Sequence, residues 1–243
     1  MKQIILKTSI LISGILFFAA CKKDSLPSPA QDEIAGQASQ KGKPVSQFTR
    51  VKTRTSGLNV ITYTYDGAGR SLGYTGSGAL TYNYPDASHV TETPQSGSVT
   101  HYDLNNKGLA VKRTHPYWHA LYTYNPKKQV ENILIQDNNG FTNNTTYTYV
   151  NGNVDKIIST QSVDNPPQTF TYYLDKPNVL DNDVFGESFR GAGSKNLVKT
   201  RTIESGTIYV ENYSYDFDLQ GRVIKVKWDV NGNPQTDILY SYY

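Results

Sequence analysis

The chain has 243 residues, of which 37% are hydrophobic and 12% aromatic, and its 24 basic side chains nearly balance 21 acidic ones. A net charge of +3 without a basic stripe argues against nucleic acid as a partner. The single cysteine, Cys21, excludes an internal disulfide and a metal site built from several thiolates.

Residues 1–20 have the features of a secretory signal peptide. The apolar run 10–18 is too short to span a bilayer, and Ala19 and Ala20 supply the small residues of a cleavage site. The stretch FFAACKKD resembles the lipobox of bacterial lipoproteins, which implies that Cys21 is lipidated and becomes the mature N-terminus. The alternative is an ordinary secreted protein in which the cysteine follows the cleavage site by chance.

Residues 21–46 are predicted to form the lipidated cysteine and a flexible tether, because they are polar, rich in Pro, Ser, Gln and Gly, and without periodicity. Lipid would supply the membrane attachment, since no later stretch is apolar enough to span a bilayer. The charged residues directly after Cys21 are similar to the export tags of surface-displayed lipoproteins. We therefore predict a lipid-anchored protein of the bacterial outer membrane, on the periplasmic face or at the cell surface.

From residue 47 onward the dominant period is two, which is typical of β-strands. Strands rich in Thr, Tyr and Val, such as 59–66, alternate with strands of aliphatic and charged residues, such as 222–229. Clusters of Asn, Asp and Gly separate them and are typical of hairpin turns. The pattern predicts a single all-β domain over 47–243: a large antiparallel β-meander of about sixteen short strands, strongly curved or barrel-like, with one irregular loop insertion.

A Tyr-x-Tyr motif followed by a turn recurs along this domain. The segments YTYDGAGR and YSYDFDLQGR resemble the tyrosine-aspartate repeats of bacterial surface and toxin-shell proteins, whose long β-sheets curl around a space. Together with the lipobox and the GAGSKNLVK stretch, residues 47–243 resemble a group of uncharacterised bacterial lipoproteins with a curved, porin-like antiparallel sheet. The resemblance implies a fold but no activity.

An integral membrane barrel is the main structural alternative, since it is also built from many short alternating strands. Its outer face must carry an apolar band about 25 Å tall. Here one strand face holds Tyr, Ile, Leu and Val, and the other holds Thr, Lys, Glu, Gln and Asn. We therefore expect the apolar face to line the inside of a bent sheet, closed or half closed, with the tyrosines packed there as scaffold.

Residues 175–195 interrupt the strand rhythm. Long irregular segments in compact domains are commonly lids, plugs or binding loops. We expect one helical turn at 178–185 and insertion of Phe185 and Phe189 under the sheet. A cap that closes the open end of the core is favoured over a ligand lid, because exposed sheet edges need covering.

Two clusters hold side chains of the types that bind metal ions. The HPYWH stretch and a nearby histidine would supply three imidazoles, but Pro116 favours a turn or a sheet edge there. The histidines that would form this site are His101, His115 and His119. The acidic residues of VLDNDVFGE (179–187) lack the order of a calcium loop. We therefore predict no metal site and no cofactor.

Two functional hypotheses from different classes remain open. The first is a non-enzymatic, lipid-anchored envelope protein that binds a glycan or an apolar ligand, or that scaffolds another envelope protein. The residues predicted to contact a ligand are Tyr117, Trp118, Phe185 and Phe189. The second is an envelope hydrolase acting on glycan, in which carboxylates such as Glu131, Glu204 or Glu211 converge in a groove.

The interior of the sheet should discriminate between these hypotheses. A filled interior would favour the scaffold, an open aromatic trough would favour the binding protein, and a groove with two facing carboxylates would favour the hydrolase. The sequence contains no nucleophile elbow, zinc-protease motif or phosphate-binding loop that would favour catalysis.

Overall fold

The computed structural model describes residues 50–161 and 165–243, and its strands form one antiparallel sheet. The predicted signal peptide (1–20) and the lipidated Cys21 with its tether (21–46) lie outside the described residues. Within the described residues, a 3-10 turn at Ser188–Arg190 is the single helical element. No helix in these two ranges is long and apolar enough to cross a membrane.

Seventeen strands make up the sheet. The first nine are β1 (Val51–Ser56), β2 (Asn59–Tyr65), β3 (Ser71–Thr75), β4 (Leu80–Asp86), β5 (His89–Pro94), β6 (Thr100–Leu104), β7 (Ala110–His115), β8 (Trp118–Tyr124) and β9 (Val130–Asp137). The others are β10 (Thr142–Val150), β11 (Asn153–Ser159), β12 (Gln168–Pro177), β13 (Asn196–Ser205), β14 (Thr207–Phe217), β15 (Val223–Val230), β16 (Asn233–Pro234) and β17 (Ile238–Tyr242).

Pairing of the first strand with the last closes the sheet into a barrel. β1 pairs with β17 from Val51 opposite Tyr242 to Ser56 opposite Ile238, and β17 also pairs with β15. The two-residue β16 pairs with β15 alone, so sixteen strands form the ring and one is extra. The prediction of an all-β, barrel-like meander of about sixteen strands is confirmed, and the structure adds that the sheet closes.

Five hairpins use the same five-residue turn. In each, the side-chain oxygen of the first residue accepts hydrogen bonds from the backbone N–H groups of the third and fifth residues. The fourth residue has a positive φ, which favours glycine; in one turn Lys128 takes this position with a φ of 64°. The five turns begin at Asp66, Asn105, Asn125, Asp137 and Asp218.

The Tyr-x-Tyr motif is part of a pattern that covers eight strands. Every second strand of the ring directs two side chains at this spacing into the barrel, an aromatic residue followed by a tyrosine or, in β6, a leucine. The pairs are Tyr63/Tyr65, Tyr82/Tyr84, Tyr102/Leu104, Tyr122/Tyr124, Tyr147/Tyr149, Phe170/Tyr172, Tyr213/Tyr215 and Tyr240/Tyr242.

In six of these strands the second tyrosine forms a hydrogen bond with the preceding strand of the ring. Its hydroxyl donates to a backbone carbonyl near the start of that strand; Tyr215 reaches Val198 at 2.9 Å, and Tyr124 reaches Ala110 at 2.7 Å. The six donors are Tyr65, Tyr124, Tyr149, Tyr172, Tyr215 and Tyr242. Burial raises the pKa of these phenols, so that they remain protonated donors.

The segment between β12 and β13, residues 178–195, folds into the barrel and is called the plug. Phe185 contacts rings on β2 and β17, and Phe189 contacts rings on β4 and β6. Leu180 is 1% exposed and packs against β13 to β15. Over the predicted helical turn at 178–185 the chain forms a single turn, closed by the Phe185 N–H on the Asp181 carbonyl, and does not continue as a helix.

Backbone hydrogen bonds hold the plug to one end of the barrel. The Ser71 N–H donates to the Gly186 carbonyl at 2.9 Å, and the Ala192 N–H donates to the Lys128 carbonyl at 2.8 Å. A Cβ on Gly186, whose φ is +69°, would lie 2.5 Å from the Ser71 nitrogen, so this close approach requires glycine. These contacts lie at the turns that follow β2 and β8. We call this the plug end of the barrel and the opposite end the open end.

Candidate functional site

The plug fills only one half of the barrel. Its side chains pack against the inner faces of β13 to β17 and of β1 to β6. The remaining half, mainly β7 to β12, encloses a partly open cavity of about 500 Å³. This volume lies within the range of pockets that bind small molecules.

The wall of the cavity is largely aliphatic and aromatic. Neighbouring strands contribute Ala120 and Tyr122, then Ile133 and Ile135, and the plug supplies the floor. Tyr147, Ile157 and Phe170 continue the wall on β10 to β12. Burial raises the pKa of Tyr147 to about 12, so its hydroxyl is neutral in this environment.

The charged side chains in the cavity wall are all positive. Among the described residues that line the cavity, three are arginines and none is acidic. Arg190 reaches the cavity from the plug, Arg113 from β7 and Arg201 from β13. Each guanidinium is paired with a glutamate that does not itself line the cavity.

Glu92 on β5 joins two of these arginines. Its carboxylate accepts hydrogen bonds from Arg113 at 3.0 Å, from Arg190 at 2.9 Å and from the Tyr102 hydroxyl at 2.8 Å. Burial opposes its charge, but the guanidiniums of Arg190 and Arg113 outweigh burial, so the pKa of Glu92 lies below its ordinary value. A second carboxylate, Glu187 of the plug, pairs with Arg190 Nε at 2.8 Å.

Arg201 forms the third pair, on the opposite side of the cavity. Its Nη1 lies 3.2 Å from Glu211 Oε2, and its Nε donates to Gln168 Oε1 at 3.1 Å. The Tyr213 hydroxyl donates to the same oxygen of Glu211. The side chains of this group therefore hold the guanidinium in place at the cavity wall.

The four residues predicted to contact a ligand are not brought together. Trp118 lines the cavity and stacks on His115, with ring centroids 5.1 Å apart. Tyr117 lies in the β7–β8 turn at the open end and is 67% exposed. Phe185 and Phe189 insert under the sheet as expected, but they pack in the filled half and do not line the cavity.

The three candidate histidines also lie apart. His115 stacks on Trp118, whereas His119 bonds to Gln136 at 3.0 Å beside the inward-facing Ala120, so it points outward. His101 is exposed and lies near Thr91, on the outer face. In 50–161 and 165–243, no group of three or more His, Cys, Asp or Glu side chains is arranged to hold a metal ion.

The carboxylates considered for hydrolysis do not converge. Glu131 and Glu204 are exposed, whereas Glu211 points into the barrel and is paired with Arg201. Near the plug, Glu187 is paired with Arg190, and the Asp181 side chain accepts a hydrogen bond from the Asp183 N–H.

Sequence reasoning missed most of the residues that line the cavity. Tyr122 and Tyr147 belong to the Tyr-x-Tyr motif, but the motif does not indicate the cavity, because it looks the same in both halves of the barrel. The sequence around Arg113, Arg190 and Arg201 contains no motif that would indicate a shared cavity. Their shared environment arises from strands and a plug that are far apart in the chain.

The fold is similar to a known structure. A porin-like protein from Bacteroides uniformis matches with a TM-score of 0.61 and 20% identity, over 79% of this chain and 96% of that chain. At this identity the likeness shows the fold alone, and it agrees with the porin-like sheet expected above. The Tc holotoxin pore of Photorhabdus luminescens matches with a TM-score of 0.33 and 16% identity, over 74% of this chain and 9% of that chain, and carries no argument. No model of a known protein family matches the chain, and no curated protein matches it.

Proposed function

We propose that this chain is a non-enzymatic protein of the bacterial outer membrane, lipid-anchored on the periplasmic face or at the cell surface, that binds a small molecule inside its barrel. One observation carries the proposal: half of the interior is an aromatic and aliphatic cavity of about 500 Å³, and the other half is filled. Of the three interiors considered, an open aromatic trough favours a binding protein.

The side chains on the outer face of the barrel are consistent with a barrel that lies in water and not in lipid. Threonines alternate with the inward residues; Thr171 and Thr200 bond to each other at 2.7 Å on the exposed side. Exposed ion pairs such as Lys227 with Asp216 occur on the same face. Exposed apolar side chains such as Leu121 occur beside these polar residues, whereas a lipid-facing surface needs a continuous apolar band.

The position at which the described chain enters the barrel fits an anchored binding protein. β1 begins and β17 ends at the plug end, where the Tyr243 N–H donates to the Arg50 carbonyl at 3.1 Å. A lipid on Cys21 would therefore be connected to the plug end. The open end of the cavity lies at the opposite end of the barrel from that connection.

The anchor is tested at Cys21. We expect Cys21→Ser to abolish incorporation of labelled fatty acid and to release the protein from the membrane fraction, because no other residue can carry the thioether-linked lipid. The comparison is with the wild-type chain after a carbonate wash. A variant that remains in the washed membranes would contradict the lipoprotein part of the proposal.

The cavity is tested by filling it. Ala120 is 1% exposed and lines the cavity, so Ala120→Trp should place an indole ring in the space that a ligand would occupy. We expect this variant to fold and to lose single-site binding of the neutral fluorescent dye N-phenyl-1-naphthylamine. Leu121→Trp is the matched control, since the neighbouring side chain points outward. Equal dye binding by both variants would place the dye outside the cavity and count against the proposal.

A further inference from the structure

Among the described residues, the charged groups that line the cavity are all hydrogen-bond donors. The guanidiniums of Arg113, Arg190 and Arg201 can donate but cannot accept. Arg113 donates one hydrogen bond to Glu92, at 3.0 Å, and a guanidinium has five N–H groups. A ligand that accepts hydrogen bonds from these guanidiniums would form charge-assisted bonds, which are stronger than neutral ones.

Two amide side chains extend this donor character. The carbonyl oxygen of Asn143 accepts hydrogen bonds from the hydroxyls of Ser159 and Thr160. The carbonyl oxygen of Gln168 accepts from Arg201. Both oxygens already accept hydrogen bonds, so these amides can interact with a ligand through their NH₂ groups, which are donors.

The glutamates that neutralise the arginines lie behind them. Glu92, Glu187 and Glu211 hold the guanidiniums, but none of the three lines the cavity. Burial works against the charge on Arg190, but the surrounding phenol and carboxylate groups raise its pKa above the ordinary value. A molecule in the cavity would therefore contact the guanidinium of each ion pair and not its carboxylate.

We infer that the ligand is a small organic anion, with a carboxylate or sulfonate group attached to an aliphatic or aromatic body. The acid group accepts hydrogen bonds from the guanidiniums and amides, and the body packs against the isoleucines and tyrosines of the wall. A neutral glycan fits less well, because it carries no negative charge to pair with the three guanidiniums. This inference rests on the proposed function and specifies the chemical class of its ligand.

The test uses two dyes that share one ring system. 1-Anilinonaphthalene-8-sulfonate differs from N-phenyl-1-naphthylamine by its sulfonate, so their affinities for the purified protein isolate the effect of the charge. We expect one site per chain and at least roughly tenfold tighter binding of the sulfonate, equivalent to about 1.4 kcal/mol. Decanoate should displace the sulfonate dye at lower concentration than decanol. Equal affinities within both pairs would overturn the inference.

A charge-balanced variant locates the anion. Arg201→Gln combined with Glu211→Gln removes both charges of one interior pair, and we expect it to weaken sulfonate binding roughly tenfold, by about 1.4 kcal/mol, and to weaken binding of the neutral dye less. Lys227→Gln with Asp216→Asn removes an exposed pair and is the matched control. Unchanged sulfonate binding in the interior variant would count against the inference.

The two proposals can fail separately. If Ala120→Trp removes both dyes but the wild type does not prefer the sulfonate, the cavity binds ligands and the inferred class is wrong. If Ala120→Trp affects neither dye, the proposed function itself is wrong. The decanoate and decanol comparison uses the wild-type protein and so does not depend on whether any variant folds.

Discussion

Tyr215→Ala should lower the free energy of unfolding by about 4 kcal/mol, the cost of deleting a buried aromatic ring. Tyr215 is 7% exposed and packs in the largest core cluster, and its hydroxyl holds the Val198 carbonyl. Tyr213→Ala should cost about 3 kcal/mol by the same mechanism. Urea denaturation followed by circular dichroism measures both values.

Tyr215→Phe separates the ring from its hydroxyl. The variant keeps the packing but leaves the Val198 carbonyl without its donor, so we expect a loss of about 1–2 kcal/mol. Tyr117→Ala is the control, because a ring that is 67% exposed contributes little to the core. If Tyr215→Ala were as mild as Tyr117→Ala and removed dye binding instead, the repeat would serve ligand binding and not the scaffold.

Arg190→Met should be similarly destabilising, by about 3–5 kcal/mol, because it leaves buried carboxylates without their shared cation. Glu187 would lose its ion-pair partner, and Glu92 would retain Arg113 alone. The matched control is Arg70→Met in an exposed turn, where Arg70 pairs with Asp66 and a loss below about 1 kcal/mol is expected. Comparable losses at the two positions would contradict the role assigned to the interior network.

The same variant has a distinctive dependence on pH. Because the folded-state pKa of Glu92 lies below its ordinary value of 4.5, its contribution to stability is complete above that value and is lost as the pH falls through the lowered one. In Arg190→Met this carboxyl loses a cation, so its folded pKa should rise. We therefore expect the stability difference between wild type and variant to narrow between pH 7 and about pH 4.5, as acid neutralises the uncompensated charge.

The strands were predictable because their signals are local. Alternation places every second side chain on one face, and a Gly at the fourth position of a five-residue turn permits the positive φ that the turn requires. The pairs at Tyr63/Tyr65 and Tyr213/Tyr215 identified the inward face correctly. The insertion after β12 was recognisable because it breaks this alternation. All of these features depend on residues within a few positions of one another.

The cavity was not predictable because its determinants are distant in the chain. Closure requires β1 to pair with β17 across almost the whole domain, and Glu92 meets Arg190 at a separation of 98 residues. The same aromatic pattern lines a packed core where the plug lies opposite it and an open cavity where the plug does not. The sequence by itself determined the strands, their turns and their inward face, since these follow from backbone geometry and local hydrogen bonding. Only the tertiary structure decided which tyrosines and which arginines line the open cavity, since those properties depend on what packs on the opposite side of the barrel.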